Sequence, residues 1–135
     1  MAIGMNLQRL LLALLLSLLA SLCYAQGTKP SSPASNGARL YKDYCQACHM
    51  SDGKGATGAG TYPALANNPK LTAASYPIVI ILYGKAGMPW FNGLLTPEEV
   101  AAIVGYVRTN FGNNYADPVT PEEVAKMRGP VPRDE

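Results

Sequence analysis

The chain contains one histidine, His49, and it directly follows two cysteines two residues apart, in the run Cys45-Gln-Ala-Cys48-His49. A single imidazole excludes zinc sites built on two histidines and catalytic sites that need one imidazole as ligand and another as base. A length of 135 residues fits one domain and leaves no room for a separate cofactor-binding half. The formal net charge of +2 is too slight for a nucleic-acid binder, which presents a strongly basic face. Charged residues make up only 15%, against 13 Gly and 11 Pro, so loops should form much of the fold.

Residues 1–9 carry one basic side chain, Arg9, and no acid; residues 10–25 are almost wholly apolar and end in Ala25. This is the layout of a secretory signal peptide over 1–25, with Cys23 and Ala25 at the small-residue positions of the cleavage site and Gln26 as the new N-terminus. The apolar run of 16 residues is shorter than the roughly 20 needed to span a bilayer, so an uncleaved anchor is the lesser alternative. Leu22 stands where a lipidation signal wants a small residue, which argues against a lipid-modified Cys23. The chain is therefore expected in the periplasm. Cleavage would leave only Cys45 and Cys48, a pair that export alone would read as a disulfide.

Residues 26–36 are Pro/Ser-rich without apolar period and read as a flexible leader. A helix is expected over 37–49, with Leu40, Tyr41 and Tyr44 apolar at helical spacing. The glycine- and proline-rich stretch 51–70 reads as a long irregular loop, which in a small domain needs a functional reason. Residues 75–83 form a short apolar helix with Ser75 as a possible cap and Gly84 as its stop; their β-branched content leaves a strand as the minor reading. Loop follows to residue 95. Thr96 can cap, Pro97 suits the first helical position and Glu99 completes a capping box. Val100, Ile103, Val104 and Val107 then define one buried face, and Gly112 is the expected stop. The hexapeptide TPEEVA recurs at 120–125, a second helix start that should end by Gly129. The fold class is all-α, with a domain over 37–112 and an extension over 113–135.

Cys-x-x-Cys-His is the attachment signature of c-type haem. At helical spacing two thiols can reach both vinyl groups of one porphyrin edge and form thioethers, and the adjacent imidazole can turn onto the iron. The competing readings are a plain disulfide and a thioredoxin-like redox pair, but no βαβ pattern surrounds the motif. One covalent haem c is thus the expected cofactor, with His49 as proximal ligand. No second histidine exists to supply a sixth ligand. Of the methionines that survive cleavage, Met50 adjoins His49 and cannot reach the opposite ring face, and Met127 sits in the terminal helix. Met88, in Gly87-Met88-Pro89, lies in a loop between helices; Lys85 or an open iron are the alternatives. The segment DGKGATGAG lacks the Lys-Ser/Thr of a phosphate-binding loop and no strand precedes it.

On these residues the sequence resembles the class I cytochromes c, the monohaem type with His/Met ligation, over about residues 37–111. The likeness rests on CQACH, DGKG at 52–55, Pro63 in YPAL, GMP at 87–89 and the final helix. It implies a small helical bundle whose N- and C-terminal helices meet closely, with Gly37 and Tyr41 on the first and Tyr106 on the last. It also implies that the Pro63 carbonyl accepts a hydrogen bond from the proximal imidazole, fixing the ring. Trp90 and Phe91, directly after the ligand motif, could cover the haem edge or simply pack. More narrowly, the chain is similar to small cytochrome subunits that take electrons from exported alcohol, aldehyde or related dehydrogenases. That likeness implies a single-electron carrier with a dehydrogenase donor and a cytochrome or oxidase acceptor. Membrane association would come through a partner or an uncleaved N-terminus.

A six-coordinate iron leaves no substrate position, so the chain is expected to carry electrons and not to catalyse. A haem subunit of a larger dehydrogenase complex is the nearest alternative, and an open-site ligand-binding sensor the alternative of another class. Charge is unevenly placed: residues 39–85 hold five basic and two acidic side chains, residues 86–135 four basic and seven acidic. If folding preserves this asymmetry, Lys54, Lys70 and Lys85 would steer acidic redox partners; otherwise they are a mixed solvated surface.

Overall fold

The fold is organised around one well-capped helix. The computed structural model describes residues 33–58 and 60–130; the expected signal segment and residues 26–32 of the expected leader lie outside the described residues. In chain order the elements are α1 (Pro33–Tyr44), α2 (Gln46–His49), β1 (Ala56–Thr57), β2 (Thr61–Tyr62), a 3-10 turn (Pro69–Thr72), α3 (Ser75–Tyr83), α4 (Pro97–Thr109) and α5 (Pro121–Met127). The fold is helical, with one tiny antiparallel ribbon pairing Ala56 with Tyr62 and Thr57 with Thr61.

α4 forms where its cap signals say it should. Thr96 accepts from the Glu99 N–H, the Glu99 carboxylate accepts from the Thr96 N–H, and Pro97 occupies the first turn. Val100, Ile103, Val104 and Val107 are all buried, so one face of α4 is core. α1 packs along that helix. The contact is close because Gly37 has no side chain: a Cβ there would collide with the Ala102 carbonyl oxygen and stand 2.8 Å from Tyr106 Cβ. One turn on, Tyr41 is buried with its ring centroid 5.6 Å from Tyr106 and 5.0 Å from Phe111. Such tilted aromatic contacts add about 0.5–1.5 kcal/mol each beyond area burial.

Two buried polar side chains tie distant loops to α4. Arg108, 1% exposed, donates to the carbonyls of Leu71, Thr72 and Asp117 at 2.9, 3.0 and 2.7 Å. Asn113 donates to the Leu65 and Val107 carbonyls and accepts from the Asn68 N–H. Residues 113–130 lie against this framework: α5 repeats the capping box through Thr120 and Glu123, and Val124 is fully buried against the core of α3 and α4.

Three details depart from expectation. α1 begins at Pro33, inside the stretch read as leader, because proline is compatible with a first helical turn. Ser75 is not a cap; the N-cap of α3 is Ala74 and makes no side-chain bond, and burial of Pro77, Ile78, Ile81 and Leu82 anchors this helix. α4 stops at Thr109 and not at Gly112. The Asn110 side chain there donates to the Tyr106 carbonyl, satisfying an end group that would otherwise lack a partner.

Candidate functional site

α1 ends at Tyr44, and Cys45 starts a new turn in which the N–H groups of both Cys48 and His49 return to its carbonyl, at 3.1 and 2.9 Å. Both cysteines and the histidine are thereby held within one helical turn, and no disulfide joins the thiols. Burial, then the neighbouring Cys48, pushes the Cys45 thiol up to about 12. Met50 ends the turn with φ 64°, an uncommon conformation for a residue with a side chain, and the Tyr41 hydroxyl donates to its carbonyl at 2.7 Å.

From there the loop folds back on the histidine. The Gly53 carbonyl accepts from the N–H groups of Leu65 and Ala66, closing the loop, and the Gly55 N–H donates to the His49 carbonyl. Gly55 has φ 66°, and a Cβ on it would clash with the Tyr62 carbonyl and stand 2.9 Å from the Pro63 oxygen. Only glycine lets the Pro63 carbonyl pass this close. That oxygen lies 2.9 Å from His49 Nδ1. A carbonyl only accepts, so Nδ1 carries the proton and Nε2 keeps the lone pair a metal would use.

His49, 7% exposed, lines an open cleft together with Cys45, Pro63 and Met88. The rest of the lining is mostly apolar, including Leu65, Leu71, Ile80, Ile81, Ile103 and Val107. Met88 reaches the cleft from a tight turn in which the N–H and carbonyl groups of Lys85 and Met88 bond reciprocally at 3.2 and 3.0 Å. Cys48 stands on α2 and is not among the lining side chains. An apolar cleft with a tautomer-fixed imidazole, a thioether and a thiol around it fits a haem.

Phe91 is core, buried and edge-on to Tyr44 at a centroid distance of 6.2 Å, and Trp90 does not line the cleft. Gly87 faces open space, whereas the close backbone approach beside Met88 falls at Gly84. Arg108 and Asn113 are the supports that sequence reasoning missed. Each works through backbone carbonyls 36 to 48 residues away, and a lone arginine on a helix carries no local signal of that. Arg108 sits four positions after the buried Val104, on the same helical face, the faint cue that it faces inward.

The family described as "Cytochrome C oxidase, cbb3-type, subunit III" matches residues 32–107. Cytochrome c6 of Leptolyngbya boryana is 33% identical over 76 residues, which cover 55% of this chain and 88% of that protein. The chain belongs to the cytochrome c family. It therefore carries c-type haem, bound covalently, and electron transfer is the chemistry of such a domain. Among larger relatives, the fructose dehydrogenase cytochrome subunit of Gluconobacter japonicus is 37% identical over 110 residues, 70% of this chain and 22% of its own length. The cytochrome c subunit of the quinone alcohol dehydrogenase of Gluconacetobacter polyoxogenes is 29% identical over 117 residues, 77% of this chain and 24% of its own. This cytochrome c thus spans about a quarter of the length of the dehydrogenase subunits it matches.

Proposed function

We propose that this cytochrome c is a periplasmic single-electron carrier, with His49 and Met88 as the axial ligands of one haem and Cys45 and Cys48 as its thioether anchors. The observation that carries the reading is the His49 Nδ1–Pro63 carbonyl contact, which aims Nε2 while Met88 lines the same cleft. When bound, haem c supplies a one-electron ferric/ferrous couple. The chain's own residues hold and tune it. Pro63 fixes the imidazole tautomer and ring orientation, the apolar lining excludes water, and a methionine thioether favours the reduced state. The donor is a dehydrogenase, as the names of the larger relatives suggest; the signal-like N-terminus places that donor outside the cytoplasm, with a respiratory-chain acceptor. Those names also support the closely related reading of a subunit held within a dehydrogenase complex.

Intact mass of the protein made in a host that attaches haem tests the anchoring. The expected mass is the polypeptide plus one haem, with the addition lost in a Cys45→Ala, Cys48→Ala double variant and kept in Met88→Ala. A bare polypeptide with two free thiols would contradict it.

Lys70 lines the cleft and exposed Lys85 starts the Met88 turn, whereas Lys54 is offset by Asp52 at 3.1 Å. Charge reversal of Lys70 and Lys85 together is expected to slow reduction by an acidic donor protein about tenfold at low salt, with the difference shrinking as salt rises. Stopped-flow rates unchanged at every ionic strength would remove these lysines from docking.

A further inference from the structure

We infer that the C-terminal segment 127–130 is a clasp that closes the base of the Met88 loop and so sets how readily Met88 can be displaced; this rests on Met88 being a ligand, as proposed above. The loop leaves α3 at Gly84 and returns through 90–92. Its returning limb is bonded to the end of α3, with the Phe91 and Asn92 N–H groups donating to the carbonyls of Ile81 and Leu82 at 2.9 and 3.2 Å. Gly84, at φ 71°, lets the limbs touch: a Cβ there would stand 2.6 Å from the Met88 carbonyl oxygen and 3.0 Å from the Trp90 nitrogen. The loop is therefore a hairpin with a narrow base.

The clasp grips both limbs of that base. On the outgoing limb, the Tyr83 hydroxyl donates to the Met127 carbonyl at 2.9 Å and accepts from the Gly129 N–H at 2.6 Å. On the returning limb, buried Asn92 donates to the carbonyls of Gly129 and Pro130, both at 3.1 Å, and Arg128 donates to the Leu95 carbonyl at 2.5 Å. Val124, fully buried, anchors the helix from which the clasp extends. The family match ends at residue 107, so these contacts are made by a part of the chain outside it. The clasp is also releasable. Asn92 Oδ1 and Arg128 Nε are buried without a partner among the described residues, which costs part of what the other bonds contribute. A second ligand can reach the iron only if Met88 leaves it, and Met88 can leave only if its loop opens. Bonds across the base of the loop therefore enter the apparent affinity for that ligand.

The test is imidazole binding to the ferric, haem-loaded full-length protein, followed by loss of the methionine–iron charge-transfer band. Tyr83→Phe removes both hydroxyl bonds from a side chain that is 39% exposed, so folding should survive. It is expected to keep the full band without imidazole and to bind imidazole about tenfold more tightly than the wild type. Arg128→Ala, through the loss of its bond to Leu95, should move in the same direction and supplies the readout if the first variant loads haem poorly. Asn110→Ala, whose side chain bonds only within the end of α4, should lower the unfolding midpoint without changing imidazole affinity. Wild-type affinity in both clasp variants, or an equal gain in Asn110→Ala, would overturn the clasp. A band that persists in Met88→Ala would instead overturn the ligand assignment.

Discussion

Replacing Arg108 by alanine is expected to destabilise the haem-loaded protein by about 3–5 kcal/mol, a large share of the roughly 5–15 kcal/mol that holds a domain together. The size follows from what the guanidinium does. It is buried, and it donates to three backbone carbonyls from two separate segments, the 3-10 turn and the start of the tail. Its ion pair with Asp117 matters less, because that carboxylate is 91% exposed at 3.6 Å. Alanine would leave the Leu71 and Thr72 carbonyls without donors and open a cavity beside the cleft that Lys70 and Leu71 line. Arg108→Lys should recover less than half of the loss, since one ammonium on a flexible stem cannot meet a fork of acceptors. Guanidinium unfolding midpoints provide the check. A loss below about 1 kcal/mol would show that the turn is held by other contacts.

The second large effect is expected at Gly37. A valine there must push α1 off the Ala102 carbonyl and the Tyr106 side chain, and both belong to a helix that is itself core. Overpacking against backbone cannot be relieved by a rotamer change, so the expected cost is about 3 kcal/mol or more. Gly37→Ala should cost less, because alanine regains about 1 kcal/mol of helix propensity. Thermal unfolding of the two variants checks the order. Equal and small losses would mean that the helices separate freely at this point.

What the sequence disclosed of this molecule was its local chemistry. The capping boxes at Thr96 and Thr120 depend only on neighbours three residues apart, and the buried face of α4 only on helical period, so both were readable. Cys45, Cys48 and His49 are contiguous, and a methionine flanked by Gly87 and Pro89 in a loop could be singled out by elimination. Pro63 came from the family resemblance. The structure brings Cys45, His49, Pro63 and Met88 to one cleft, a convergence across some forty residues that no local pattern encodes. Arg108, Asn113 and Asn92 stayed unread for the same reason. Each is an ordinary polar residue whose importance lies in carbonyls supplied by distant chain. The extension over 113–135 showed only a helix start at 120–125, because only tertiary packing buries Val124.

The central claim is that one haem is held between His49 and Met88. Oxidised and reduced visible spectra of the haem-loaded protein and of Met88→Ala test it most directly. The account predicts a low-spin haem in both oxidation states, with a ferric methionine–iron charge-transfer band that disappears in the variant as its midpoint potential falls. A high-spin ferric spectrum that the variant leaves unchanged would contradict it and mean an open iron.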